Sequence, residues 1–129
     1  TLSISSIALI SLLAACSSSM RAPAKTADAY RGPPLAVEST PPQHRAVLTA
    51  PTGGWTLRLD QTRRAFDHTD VFVTLVRPDP AYMHTPAPVR QEAGTGIEPA
   101  ERIELYARIL DPGVAAASQP YSPVVPDGR

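Results

Sequence analysis

The chain has 129 residues, with twelve basic and twelve acidic side chains and no formal net charge. This balance provides no long-range field that would steer the protein toward nucleic acid. A single cysteine excludes an internal disulfide and a cysteine-based zinc site, and the fifteen prolines indicate long irregular segments around one small domain.

The first segment is an uncharged apolar stretch that runs from Ile4 to Ala15. At about twelve residues it is too short to span a bilayer, which needs about twenty. An apolar helix of this length that ends in small residues is typical of a secretory signal peptide. We therefore predict a signal peptide over residues 1–15. The basic segment and starting Met of such signals do not precede it, which leaves the true N-terminus open.

The stretch Leu13-Ala14-Ala15-Cys16 resembles the lipobox of bacterial lipoproteins, in which an aliphatic residue and two small residues precede a cysteine. The resemblance implies cleavage between Ala15 and Cys16, a thioether-linked diacylglycerol on the Cys16 sulfur and acylation, such as palmitate, on the new amino group. Two or three acyl chains would hold the protein on a membrane permanently, because each buried CH₂ contributes roughly 0.8 kcal/mol. The alternative is a free or buried cysteine in an ordinary signal.

The residue after the lipobox cysteine is Ser17 rather than Asp. By the sorting pattern of the lipoprotein family, this implies the outer membrane if the cell has one. Residues 16–50 are then rich in Ser, Ala, Thr and Pro without apolar periodicity, so we predict a disordered linker that reaches about 100 Å when fully extended. A plain spacer is favoured over proline docking sites. Residues 112–129 also contain several prolines, and we predict a disordered tail.

Residues 51–111 remain for a small domain, and two strands are predicted in its first half. Trp55 to Asp60 alternates apolar and polar side chains, as a half-buried strand does. Val71 to Val76 is apolar on both faces, as expected of a central strand. We predict that the two pair as a hairpin. Five of the seven aromatic residues lie in this window and are expected to form its core: Trp55, Phe66, Phe72, Tyr82 and Tyr106.

The second half of the domain is less regular. Residues 81–88 contain prolines that limit them to an edge or a loop, and residues 91–98 are predicted to be loop. Residues 102–109 alternate again, although Ile103, Tyr106 and Leu110 also form a helical stripe. We favour a strand because the alternation is unbroken and two strands alone are not stable in water. The predicted fold class is mainly β, with one small antiparallel β domain.

The order of features from Thr52 to Ile109 resembles the C-terminal domain of the PrcB protease-complex lipoproteins. The Thr52-Gly53-Gly54-Trp55 start, the hairpin, the Met83-His84-Thr85 segment and a closing strand carry this resemblance. The chain departs from that pattern at Asp79-Pro80-Ala81 and in a longer Gly94-Thr95-Gly96 insertion. The resemblance implies a small β domain on a lipid anchor that binds and steadies a partner protein, with a protease as one candidate. It implies no catalytic residues.

No catalytic constellation is evident in the sequence. His44, His68 and His84 lie far apart, with no pair at metal-ligand spacing, and we interpret Asp67-His68-Thr69-Asp70 as a solvated turn rather than an acid/base or metal site. No serine lies in a G-x-S-x-G elbow. We therefore predict no metal, no cofactor and no enzymatic activity. The hypotheses are a lipid-anchored binding module, a structural envelope lipoprotein without a specific partner and, least favoured, a hydrolase.

Three further features are each expected to have a structural role. Trp55 is expected to be a core aromatic beside a Gly-Gly turn rather than a ligand platform. Arg63-Arg64 is expected to be a solvated strand end rather than an anion site. Glu101, Glu104 and Arg108 are expected to form an exposed face with weak ion pairs.

Overall fold

The computed structural model describes residues 23–114 and 119–125. They are mainly β, as predicted, and contain seven strands: β1 Leu35–Glu38, β2 Arg45–Ala50, β3 Thr56–Arg64, β4 Thr69–Val76, β5 Val89–Gly94, β6 Ile103–Leu110 and β7 Ser122–Pro123. Within these residues no helix is long and apolar enough to cross a membrane. The predicted signal peptide, Cys16 and Ser17 lie outside the described residues.

The strands form two sheets, in the orders β1-β2-β5 and β3-β4-β6-β7. The predicted antiparallel arrangement is found at every strand pair except β4 and β6, which are parallel. Parallel neighbours need a long crossover connection. Residues 77–102 provide it, and they place β5 in the other sheet on the way.

Both sheets contribute to one hydrophobic core. Alternation along β4 places Val71, Val73 and Leu75 in this core, while Phe72 and Thr74 are buried on the opposite face. This explains why β4 is apolar on both faces and confirms that it is an internal strand. The buried core residues are Leu35, Ala46, Leu48, Ala50, Val71, Val73, Leu75, Ile97, Leu105 and Ala107.

The predicted hairpin is confirmed. β3 pairs antiparallel with β4 from Thr56 opposite Val76 to Arg64 opposite Thr69, with a register shift between Leu59 and Gln61. The strand predicted over residues 102–109 is also confirmed as β6, and the helical alternative is wrong. The alternation of inward and outward side chains extends along all of β6, because β6 pairs with β4 along its whole length.

The prediction of a disordered linker up to residue 50 is wrong for its second half, and so is the prediction of loop over residues 91–98. β2 pairs with β1 on one side and with β5 on the other, and its Ala46, Leu48 and Ala50 are almost fully buried. Two of these three inward residues are alanines, which give a weak hydrophobic signal in sequence. The strand is stabilised by its two neighbours, which local periodicity does not reveal.

The C-terminal residues also belong to the domain, contrary to the predicted disordered tail. Tyr121 is only 4% exposed, and β7 pairs with β6. Prolines obscured this strand in sequence, yet Pro123 is tolerated because β7 lies at a sheet edge. The aromatic residues are also redistributed, since Phe66 and Tyr82 are exposed rather than in the core.

Candidate functional site at the hairpin end

The end of the domain where β3 ends, β4 begins and β6 begins is called here the hairpin end. Its turn is closed by a hydrogen bond from the Ala65 backbone N–H to the His68 carbonyl, at 2.8 Å. The Thr69 N–H donates to the Arg102 carbonyl at 2.9 Å, which joins the turn to the start of β6. At the tip, the Phe66 side chain is fully exposed, at 105% of its reference area.

His68 lies among three carboxylates at this end. Its Nδ1 is 2.6 Å from Asp67 Oδ1, and its Nε2 is 2.9 Å from Asp70 Oδ1 and 3.4 Å from Glu104 Oε2. The hydrogen bond with Asp67 is the main cause that raises the pKa of the His68 imidazole, and it also lowers the pKa of the Asp67 carboxyl. The surroundings therefore favour the imidazolium form.

Lys25 brings the segment before β1 to the same cluster. Its Nζ lies 2.8 Å from Asp70 Oδ2 and 4.4 Å from the centroid of the Tyr106 ring. The hydrogen bond to Asp70 is the largest cause that raises the pKa of Lys25. The parallel register sets Asp70 beside Glu104 and Phe72 beside Tyr106, so these side chains share one face. Lys25 thus fastens the N-terminal segment across two strands.

A second polar network occupies the middle of that face, around Asp60 at the β3 register shift. Asp60 Oδ2 accepts hydrogen bonds from the Thr74 hydroxyl and, at 2.6 Å, from the Tyr121 hydroxyl. Arg108 Nε donates to Thr74 Oγ1 at 2.9 Å, and its guanidinium lies over the Tyr121 ring. Burial opposes ionisation of Asp60, but the hydrogen bonds from Thr74, Tyr121 and Arg58 outweigh it and lower its pKa.

Comparison with known proteins provides no relative from which a function could be inferred. No family model, curated protein or solved structure matches the chain. The chemistry of the hairpin end is therefore considered from its own residues.

Three of the clustered groups could in principle bind a metal ion. One ligand atom each from His68, Asp70 and Glu104 lies within 4.8 Å of the others, and Asp67 would orient the imidazole from the far side. A metal requires the neutral imidazole, whereas the surrounding carboxylates raise the pKa of His68. Lys25 already pairs with Asp70. The arrangement is best explained as a charge-balanced ion cluster.

The other two histidines lie elsewhere, so the structure does not bring the three together. His44 is buried, with Nε2 2.6 Å from the Glu101 carbonyl and Nδ1 2.8 Å from Ser39 Oγ. Because a carbonyl only accepts, Nε2 carries a proton, and in the neutral imidazole Nδ1 then accepts from the Ser39 hydroxyl. This serine–histidine pair links the β1–β2 turn to the chain before β6. His84 Nε2 lies 2.7 Å from the Asp79 carbonyl, at the opposite end of the domain.

Lys25, Asp60 and Tyr121 were not among the predicted site residues. No local pattern in the sequence connects Lys25 with Asp70 or Asp60 with Tyr121, because strand register and the returning terminal segments bring these pairs together. Trp55 is half-buried and packs against the core, and its carbonyl accepts a hydrogen bond from the Gln91 side chain.

We expect His68 to make stability depend on pH. Its pKa is raised above the usual 6.5 in the folded protein, so its contribution is present in full below that value and is lost as the pH rises through the folded value. Thermal unfolding of wild type and His68→Gln should therefore differ more at about pH 6 than at about pH 9. His84→Gln is the matched control, since His84 bonds a backbone carbonyl. A wild-type advantage over His68→Gln that is independent of pH would contradict this.

Proposed function

We propose that this protein is a lipid-anchored binding module of a bacterial cell envelope, whose hairpin end contacts a partner protein. Cys16 is the proposed anchor, and the outer membrane is its proposed location in a cell that has one. The observation that carries the binding role is the fully exposed Phe66 at the tip of a closed turn.

An aromatic ring in this position suits protein recognition. Covering a fully exposed aromatic ring removes a large apolar area from water, and aromatic residues dominate the binding energy of protein interfaces when surrounded by a polar rim. The shallow cavity beside Phe66, of about 180 Å³, has such a rim: Arg64, Asp67, His68, Glu101 and Arg102. Arg102 Nη1 lies 3.7 Å from Asp67 Oδ2, so part of this rim is already ordered by ion pairs.

A protease is the proposed kind of partner, on the strength of the resemblance to the PrcB protease-complex lipoproteins alone. The second candidate is a structural envelope lipoprotein without a specific partner. A hydrolase is least supported: the Ser39–His44 pair has the atoms of a nucleophile and a base, but the group beyond the imidazole is the Glu101 carbonyl rather than a carboxylate.

The test is a capture experiment with exposed-residue variants. We expect the anchored wild-type protein, cross-linked in intact cells, to retain one reproducible protein partner, and Phe66→Ala to lose it without a change in thermal stability. Truncation of a hot-spot residue typically costs about 2 kcal/mol or more in binding, which is roughly a thirty-fold loss of affinity.

Val114→Ala is the matched control, because Val114 is also exposed and lies beyond the end of β6, at the opposite end of the domain. This variant should retain the partner. If wild type captures no reproducible protein, or if Phe66→Ala captures it as well as wild type does, the binding role of the hairpin end is wrong. The absence of any partner would favour the structural envelope lipoprotein.

A further inference from the structure

The end of the domain opposite Phe66 carries a second exposed apolar site. This end, called the loop end, is where β3 begins, β4 stops at Val76 and β6 stops at Leu110. Residues 77–88, called here the proline loop, project from it. Two adjacent side chains of this loop are solvent-exposed: Tyr82 at 69% and Met83 at 100%.

The proline loop is held in place by backbone contacts. The Tyr82 N–H donates to the Asp79 carbonyl at 3.1 Å, and the Gly53 N–H donates to the Thr85 carbonyl at 2.9 Å. Gly54 has a φ of 91° and faces the His84 ring, where a Cβ would lie 2.3 Å from Nδ1. The Tyr82 and Met83 side chains are therefore presented by an ordered support, so little ordering entropy opposes their binding.

The route of the N-terminal segment relates this loop to the proposed anchor. The Tyr121 N–H donates to the Ala24 carbonyl, and residues around Lys25 run parallel to those around Tyr121. Because β7 is antiparallel to β6, with Ser122 opposite Ala107, the described chain starts at the C-terminal half of β6. Residues 24–26 run from there toward the hairpin end, and Tyr30 and Arg31 then lie again on the side of Leu110 and Asp111.

The distance available to the anchor is short. Cys16 lies seven residues before Pro23, and seven residues span at most about 25 Å. Both ends of the sheet lie within this reach, but the loop end is nearer, because the contact between Ala24 and Tyr121 lies at about the level of Arg108, two residues before β6 ends at Leu110.

The density of charge also distinguishes the two ends. The hairpin end is an array of ion pairs that joins Lys25, His68 and Arg102 to the carboxylates Asp67, Asp70 and Glu104, and burying such charges costs desolvation energy. Between Pro78 and Pro88 the chain has one carboxylate, Asp79, and no Lys or Arg. Tyrosine is favoured at the membrane interface, where its ring is apolar and its hydroxyl remains hydrated.

We propose that the proline loop docks on the lipid bilayer, with Tyr82 and Met83 inserted at the headgroup boundary, so that the domain stands on its loop end with Phe66 directed away from the membrane. This orientation rests on the proposed anchoring at Cys16. In this orientation the domain does not rotate freely about its anchor, because the loop end stays on the membrane. The hairpin end remains accessible to a partner protein.

The test fixes the anchor chemically. Residues 16–129, which include every described residue, contain a single cysteine that can be coupled to a maleimide lipid in vesicles of phosphatidylcholine and phosphatidylglycerol. Two single-tryptophan variants, Trp55→Phe with Met83→Trp and Trp55→Phe with Phe66→Trp, are compared with brominated lipids. We expect quenching and a blue-shifted emission for the tryptophan at position 83 and neither at position 66.

A second measurement avoids substitution. Hydroxyl-radical footprinting of the wild-type chain should show that Met83 is protected when the protein is coupled to vesicles, while Phe66 in the same sample remains as reactive as in the free protein. Unchanged reactivity of Met83, or quenching at position 66 equal to that at position 83, would overturn the proposed orientation. Because coupling replaces natural lipidation, these outcomes are independent of whether the cell acylates Cys16.

Discussion

Replacement of Cys16 by serine is expected to move the protein from the membrane fraction to the soluble fraction of the cell. Serine cannot form the thioether that carries the diacylglycerol. Each acyl CH₂ contributes roughly 0.8 kcal/mol of membrane affinity, and anchoring by two or three chains is effectively permanent, whereas one short chain binds only marginally. The loss of membrane association should therefore be nearly complete. Fractionation of cells followed by immunodetection, with mass measurement of the N-terminal peptide, checks it.

The control for this prediction is the neighbouring Ser17→Ala substitution, which leaves the cysteine and the residues before it unchanged. It should retain lipid on Cys16 and stay in a membrane fraction. Persistence of Cys16→Ser in the membrane fraction would mean that the lipobox interpretation is wrong. The proline loop alone is not expected to hold the protein there, because Tyr82 and Met83 provide little apolar area compared with acyl chains.

Tyr121→Ala is expected to be the most destabilising single substitution in the C-terminal segment. The side chain is 4% exposed, packs edge-on against Phe72 with ring centroids 5.0 Å apart and donates a hydrogen bond to Asp60. Truncating a buried aromatic residue typically costs about 3–5 kcal/mol. Because a domain of this size has roughly 5–15 kcal/mol in total, we expect a large drop in the denaturation midpoint. Urea unfolding measures it.

Two controls separate packing from hydrogen bonding at this position. Tyr121→Phe keeps the ring and leaves Asp60 with its bond from Thr74, so it should cost only about 1 kcal/mol. Val125→Ala, at a side chain that is 66% exposed, should have almost no effect. Equal stability of Tyr121→Ala and Val125→Ala would show that the C-terminal segment is not part of the folded domain in solution.

The two substitutions test different parts of the proposal. Cys16→Ser tests the anchor, and its result is independent of the fold. Tyr121→Ala tests the packing that joins the terminal segments to the sheet. Since Lys25 and Tyr121 form a β-bridge and both contact the Phe72 ring, loosening Tyr121 is also expected to loosen the point at which the chain from Cys16 enters the domain.

The sequence by itself determined the strands with strong local alternation. β4 and β6 were predicted within two residues of their observed limits, and β3 was predicted from Trp55 to Asp60 but continues to Arg64. The pairing of β3 with β4 was also predicted. These strands carry large apolar side chains at a period of two, so the buried face of each strand can be identified from its own residues. The lipobox resemblance of Leu13-Ala14-Ala15-Cys16 also depends only on consecutive residues. The lipid anchor that it implies stays a prediction.

The tertiary structure alone decided which proline-rich and alanine-rich segments fold. β1, β2 and β7 have little local signal, because Ala46, Ala50 and Pro123 contribute little apolar periodicity. Their stability comes from neighbours distant in sequence. The same long-range pairing places Lys25 beside Asp70 and Glu104 beside His68. It exposes Phe66 where a core aromatic was expected, and it forms β1 and β2 where a spacer was predicted. The function proposed here depends on that arrangement, which only pairing between remote strands could create.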